Sequence, residues 1–185
     1  MANRIYNYAA FYVKEPFKET NLNANIAHDF VFYNTLRMWK GADRSFPFLD
    51  AHGTTYQVRD GSSWNTLKYR LHERLDNSKN IILFLSNITK QSDALEEEIR
   101  YGMCYMKLPV IVVYPDYSYN FSVADGHGQR QCIKNLWDRL PIFRDNMSSV
   151  PTAHVPMNKD YIVKALQDSD FTLNGKSKNY CWSWY

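Results

Sequence analysis

The chain is short of almost every feature that assigns a function by itself. Its 3 cysteines, Cys104, Cys132 and Cys181, are far apart and odd in number, with no CxxC and no Cys/His pair at ligand spacing. Neither a disulfide framework nor a zinc site is indicated. The histidines His28, His52, His72, His127 and His154 are scattered, and although His127 precedes Cys132 closely, two ligands do not make a metal centre. None of the 7 glycines forms a GxGxxG run behind a strand-like segment, which disfavours dehydrogenase-type use of a dinucleotide. No window approaches the roughly 18 consecutive apolar residues of a membrane span, and "MANRIYNYAAFYVKEPF" has neither the apolar core nor the small-residue cleavage site of a secretory leader. Charge of one sign is not concentrated either: 22 basic and 19 acidic residues give a formal +3, spread without runs, so there is no footprint for a phosphate backbone. The expectation is a soluble cytoplasmic protein with neither nucleic acid nor membrane as partner. In that compartment the sequons at Asn87, Asn120 and Asn146 carry no weight.

What is present is a globular composition, 45% hydrophobic and 22% charged over 185 residues, enough for one domain with a real core. Strand and helix signals alternate. "RIYNYAAFY" (4–12) is short, aromatic and β-prone, and "NIAHDFVFYNTLRMWK" (25–40) places Ile26, Phe30, Tyr33 and Leu36 at helical spacing. "SFPFLD" (45–50) reads as a weak second strand. Trp64, Leu67, Leu71 and Leu75 then form one helical stripe, with Ser62 or Ser63 available as N-cap. "NIILFLS" (80–86) is a continuous apolar run, as in a strand covered on both faces. A helix from about Ser92 to Met106, a buried strand at 108–116, a helix at 129–140 ending before Pro141, a short strand at 151–157 and a helix capped by Asn158 complete the pattern. The expected fold is α/β, with about five parallel strands and helices on both faces. Ligands of such sheets bind beyond the carboxyl ends of the strands, where strand order reverses.

The most informative stretch is "FLSNITKQSDALEEEIRYGM" (84–103), in which three consecutive glutamates open a helix just after a strand's carboxyl end. Neighbours on an α-helix differ by 100° in direction, so the three cannot share a face. Against the stripe of Leu95, Ile99, Gly102, Met103 and Met106, Glu97 points away and reads as solvated surface. Glu96 lies on one margin, four residues before Arg100 and able to pair with it. Glu98 lies on the other margin, beneath Tyr101 and Tyr105, half-sheltered and well placed to face the ligand crevice. All three also gain from the positive end of the helix dipole, which needs no function to explain it.

From Leu71 to Glu98, "LHERLDNSKNIILFLSNITKQSDALEEE" resembles the TIR domain family, in particular the bacterial TIR-like branch of antiphage Thoeris systems. The carrying elements are Ser78 after an amphipathic helix, the apolar strand closing with Leu85 and Ser86, a loop with Asn87, Thr89 and Ser92, and Glu98 followed by Ile99. "YGMCYMKLPVIVV" fits the family's helix-to-strand continuation. This register selects Glu98 from the three acids. One departure is Ala94, where family members usually carry a Trp, so an aromatic wall must come from elsewhere.

The resemblance implies a flavodoxin-like three-layer fold, with a TIR-like domain over residues 1–170 and an aromatic tail, 171–185, packed on it or used for association. It implies cleavage of NAD⁺ as substrate, with no resident cofactor and no metal, at the bond between nicotinamide and ribose. Catalysis is assigned to Glu98. Tyr8 and Phe11 after the first strand are candidates for stacking on a base. Ser86 and Asn87 are candidates for contacts to ribose or phosphate, and Asp60 and Ser63 lie in the loop that helps such domains assemble and close their sites. The implied partners are NAD⁺, further copies of the chain, and a separate effector protein reached through an ADP-ribose-derived signal. Two other readings stand beside it: a non-catalytic TIR-type interaction module, in which Glu98 merely solvates its helix, and a flavodoxin-like phospho-acceptor or nucleotide domain. The latter would want an acidic cluster or phosphate loop that "NYAAFYVKE" does not supply.

Overall fold

The computed structural model describes residues 4–12, 28–54, 63–172 and 181–182. Strand β1 (Tyr6–Ala10), β2 (Ser78–Phe84), β3 (Val110–Tyr114) and β6 (Thr152–Pro156) lie side by side in that order, all parallel. Parallel neighbours need crossovers, and helices supply them on both faces. Helix α1 (His28–Ala42) and α7 (Lys159–Gln167) cover one face. Helix α2 (Trp64–Asp76), α3 (Asp93–Ile99), α5 (Gln131–Trp137) and α6 (Pro141–Arg144) cover the other.

Alternation along each strand feeds both layers. Tyr8, Ala10, Ile81, Leu83, Val110, Val112 and Tyr114 pack towards α2, α3 and α5, whereas Ala9, Ile82, Phe84, Ile111, Val113, Ala153 and Val155 pack towards α1 and α7. The apolar runs at 80–86 and 108–116 are uninterrupted because neither face of their strands meets water.

Residues 45–50 do not form the expected second strand. Pro47 removes a backbone donor from the segment, and the segment touches the sheet through one parallel bridge, Asn7 to Asp50. The Asn7 amide donates to Leu49 O (2.7 Å) and Ala51 N–H returns to Asn7 O (3.2 Å). This short clip still places 49–51 outside β1, so the chain leaves β1 on one side and returns through α2 to β2 on the other, which puts the reversal of strand order between β1 and β2. On the far edge, two residues, β7 (Cys181–Trp182), align parallel to Thr152 and Ala153.

The ends of the strands nearest the clip are sewn by a buried amide relay. Asn7 Nδ2 donates to Asn80 Oδ1 (2.8 Å), Asn80 Nδ2 donates to Phe171 O (2.9 Å), and Leu49 N–H donates to Asn7 Oδ1 (2.8 Å). A second buried relay lies under β3 and β6. Trp137 Nε1 can only donate, so it fills an acceptor site of the Tyr114 hydroxyl (2.9 Å), which in turn donates to His154 Nδ1 (2.6 Å). Burial lowers the His154 pKa to about 3, so the ring remains a neutral acceptor.

Other differences from the sequence reading have local causes. The helix over 92–106 is two windings: α3 begins at Ser92, whose Oγ accepts from Leu95 N–H (3.3 Å), and from Arg100 to Tyr105 the winding widens to a π-helix. The expected helix at 129–140 ends at Trp137, and Pro141 opens α6 because its missing N–H costs nothing in a first turn. The loop behind β3 contains a short helix α4 (Asn120–Val123) and a two-residue hairpin of β4 (Ala124–Asp125) with β5 (Gly128–Gln129). Among the described residues no helix is long and apolar enough to cross a membrane.

Gly102 is where the π segment meets the sheet. A Cβ built there would lie 2.5 Å from Ile81 Cδ1 and 3.0 Å from Leu75 Cδ2, both from fully buried residues. Gly102→Ala is expected to lose about 1–3 kcal/mol in urea unfolding, and adding Ile81→Val, which removes the nearer methyl, to recover part of that loss relative to the sum of the single changes.

Candidate functional site

Glu98 sits in the last turn of α3 and points under β1 rather than into solvent. Tyr8, the third residue of β1, faces the same layer, and its hydroxyl donates to Glu98 Oε1 (2.9 Å). The contact depends on register: Tyr8 stands opposite Ile81 in the β1–β2 ladder, and α3 packs against both strands through Leu95 and Ile99. The second oxygen, Oε2, is buried and has no hydrogen-bond partner among the described residues. Leaving such an oxygen unpaired is costly.

Burial raises the Glu98 pKa to about 8, against the opposing pull of the Tyr8 hydrogen bond and the Arg74 charge. The same burial, reinforced by the neighbouring Glu98 charge, holds the Tyr8 phenol well above its ordinary value. Arg74 comes from the last turn of α2, and its Nη1 lies 3.4 Å from His52 Nδ1. His52 Nε2 is 2.8 Å from Ala9 O. A carbonyl can only accept, so Nε2 carries the proton and Nδ1 presents its lone pair to the guanidinium. Burial, then the Arg74 charge, lowers the His52 pKa to about 4, outweighing the nearby Asp50.

Around this polar pair lies an aromatic group at the carboxyl end of β1. Phe11 stacks on Tyr33 (centroids 5.3 Å apart, 20° between planes) and touches Phe30 at 5.8 Å, while the His52 ring lies 4.8 Å from Tyr8 and 5.4 Å from Tyr33. The Tyr33 hydroxyl donates to Asp50 Oδ2 (2.6 Å), which fixes the clip at 49–51 against α1.

The structure brings Tyr8 and Glu98 into direct contact, sets Phe11 in the α1 layer with its ring 6.0 Å from His52, and disperses the other expected site residues. Tyr8 is 1% exposed, so its hydroxyl, not a free ring face, is what it offers. Ser86 is buried and donates to Asp29 Oδ1 (2.8 Å), and Thr89 donates to Asp29 Oδ2 (3.0 Å). This bond set pins the loop after β2 to the start of α1, and burial raises the Asp29 pKa despite the two hydroxyls. Asn87 is exposed, its backbone and side-chain amides both on Asp116 Oδ2 (2.9 and 2.8 Å). Ser63 is the N-cap of α2, accepting from Thr66 N–H, and Asp60 lies outside the described residues.

Of the flanking acids, Glu96 pairs with Arg100 as its spacing suggests and also accepts from Gln91. Glu97 is not solvated surface. It is 9% exposed and packs against α2, where Lys68 Nζ (3.0 Å) and His72 Nε2 (2.8 Å) reach the same oxygen. Burial pushes its pKa up, but those two donors outweigh it and hold the carboxyl below the usual range. Arg74 and His52 went unnoticed in the sequence. Arg74 lies on a helix margin like any basic residue, and His52 sits in a polar loop with nothing nearby to mark it. Among the described residues no group of three or more His, Cys, Asp or Glu side chains is arranged to hold a metal ion.

The family model for the TIR-like domain of Thoeris protein ThsB matches residues 8–120, more than half of the chain. The matched segment runs from Tyr8 past Glu98 and contains every residue of the region just described.

The folded protein holds the Glu98 proton more tightly than the unfolded chain, whose carboxyl titrates near its ordinary value of 4.5. The stabilisation is therefore complete below about pH 4.5 and is lost as pH rises towards about 8. Glu98→Gln is expected to remove that loss, on the order of a few kcal/mol. Thermal unfolding across the pH range should show the variant gaining most over the parent at alkaline pH.

Proposed function

The chain belongs to the family of Thoeris ThsB TIR-like domains, and from that premise we propose that it is a cytoplasmic enzyme that cleaves NAD⁺, with Glu98 as the catalytic carboxylate. The observation that carries this reading is the state of Glu98: one oxygen held by Tyr8, the other buried and without a partner among the described residues. A ribose hydroxyl offered to Oε2 would satisfy it.

The chemistry asks little more of the protein. As the C1′–N bond breaks, its electron pair leaves with nicotinamide, which departs as a neutral amide and needs no general acid. The ribose becomes oxocarbenium-like. A carboxylate whose charge lies beside that developing cation stabilises the transition state more than the ground state, and it does so more strongly in a water-poor setting. The bond to C1′ is then remade by an acceptor. Water gives ADP-ribose and releases one proton, the substrate's own adenine gives a cyclic product, and a bound small molecule gives a conjugate. The product would act as an ADP-ribose-derived signal on a separate effector protein, in antiphage defence.

A second reading, a non-catalytic interaction module, is favoured by one feature. Behind β3, Tyr119 and Phe121 are 63% and 66% exposed and stacked on each other at 5.4 Å, which suits a contact surface.

Nicotinamide release from NAD⁺, followed chromatographically, separates the two. The enzyme reading expects release by the parent and a fall on the order of 10²–10³-fold in Glu98→Gln; release that is equal in both would remove Glu98 from the chemistry. Because the free carboxyl titrates at about 8, kcat/KM should climb with pH through that region and level off above it. The Glu98→Gln profile should be flat.

A further inference from the structure

Glu98 is held from β1 by a hydroxyl that the cleavage chemistry itself does not require, and the charge of Arg74, which lies against His52, favours its ionised form. We propose that Tyr8 and Arg74 are positioning residues for Glu98, with His52 orienting Arg74, so that Oε1 is an anchor and Oε2 is the oxygen that meets the ligand. What the oxygen does to NAD⁺ rests on the reading above; how it is held is a property of the free protein.

A carboxylate at the end of a flexible side chain is a poor electrostatic tool unless something stops it rotating. Tyr8 does this from the most rigid place available. It lies inside a strand, its backbone is fixed in the β1–β2 ladder, and its ring is buried against His52. Its hydroxyl reaches one carboxylate oxygen and not the other. Since a carboxylate is planar, fixing Oε1 fixes the direction of Oε2 as well.

Arg74 contributes charge. It favours the ionised form of Glu98, and it favours ionised Tyr8 in the same way. Its own placement is set by a histidine that has no freedom of tautomer, because Nε2 is spent on Ala9 O. The charged and titratable groups facing His52 are Arg74, Asp50, whose Oδ1 accepts from the His52 amide (2.9 Å), Tyr8 and Tyr33. Ala9 belongs to the same strand as Tyr8, so the anchor of Oε1 and the holder of the cation share one piece of backbone.

The test reads the carboxyl directly. With ¹³C-labelled glutamate, the Glu98 side-chain resonance, assigned by its loss in Glu98→Gln, is titrated by NMR in the full-length free protein. Relative to the parent, Tyr8→Phe and Arg74→Gln each remove a group that favours the carboxylate, so both midpoints are expected to rise, by roughly one pH unit. His52→Phe, which keeps a ring and removes the acceptor, is expected to move it in the same direction by less. Gly102→Ala disturbs the packing of the same layer without touching Glu98's partners, and its midpoint should stay with the parent. Arg74 is half-buried on α2, so Arg74→Gln carries the test even if Tyr8→Phe folds poorly. Midpoints that do not move in the Tyr8 and Arg74 variants, or that move equally in Gly102→Ala, would overturn the proposal. In the turnover assay, Tyr8→Phe should lower kcat more than it changes KM and should recover as pH is raised. A shifted midpoint in a protein that releases no nicotinamide would leave the positioning intact and sink the proposed activity instead.

Discussion

The bond between Tyr8 and Glu98 joins residues 90 positions apart, and the architecture of the site is the set of conditions that lets it form. β1 must pair with β2 in one register, or Tyr8 turns to the α1 face. α3 must begin at Ser92, or Glu98 rotates away from the sheet. The clip at 49–51 must lie outside β1, or His52 does not reach the Ala9 carbonyl. None of these is a local property of the acid. A carboxylate at a helix margin is ordinary, and becomes unusual only when an edge strand is folded over it.

The electrostatic character of the region follows from the same burial. Water would keep Glu98 ionised and His52 an even mixture of forms. Removed from water, the acid holds its proton to about 8 and the imidazole loses its proton above about 4, so around neutrality both groups lean uncharged. A cationic ligand arriving there meets an acid that it can itself help to ionise. Glu97, one residue earlier, shows the opposite outcome, because Lys68 and His72 meet it directly. Two adjacent glutamates are set on different courses by the helix faces they occupy.

Much of the framework was legible in the sequence. The strands at β1, β2, β3 and β6, the stripe of α2, a cap for it at Ser62 or Ser63, the start of α3 near Ser92 and the cap at Asn158 follow from apolar runs, helical spacing and the preference for hydroxyl or amide N-caps. These are short-range signals with strong physical causes. Glu98 could be separated from its neighbours by angle and by resemblance, but its partners could not be named. Tyr8 is one of many tyrosines, and whether its ring or its hydroxyl matters depends on what lies above it. Ser86 looked like a ligand contact because it closes a strand; that it is spent on Asp29 depends on where α1 begins. Glu97 looked exposed when α3 was considered alone, and α2 covers it. The π winding at Arg100–Tyr105 also escaped, since a shift from four to five residues per hydrogen bond leaves too little trace in a single short stripe.

The amide relay through Asn7, Asn80 and Phe171 bears on how the chain matures as it leaves the ribosome. Asn80 belongs to a central strand, yet the acceptor for its Nδ2 is supplied by a carbonyl beyond α7. A nascent chain that has already made β1, β2 and all of the Glu98 region therefore still lacks the acceptor for that amide until α7 and the turn behind it have emerged. Sealing of the sheet beside Glu98 therefore waits on a segment far downstream of it in the chain.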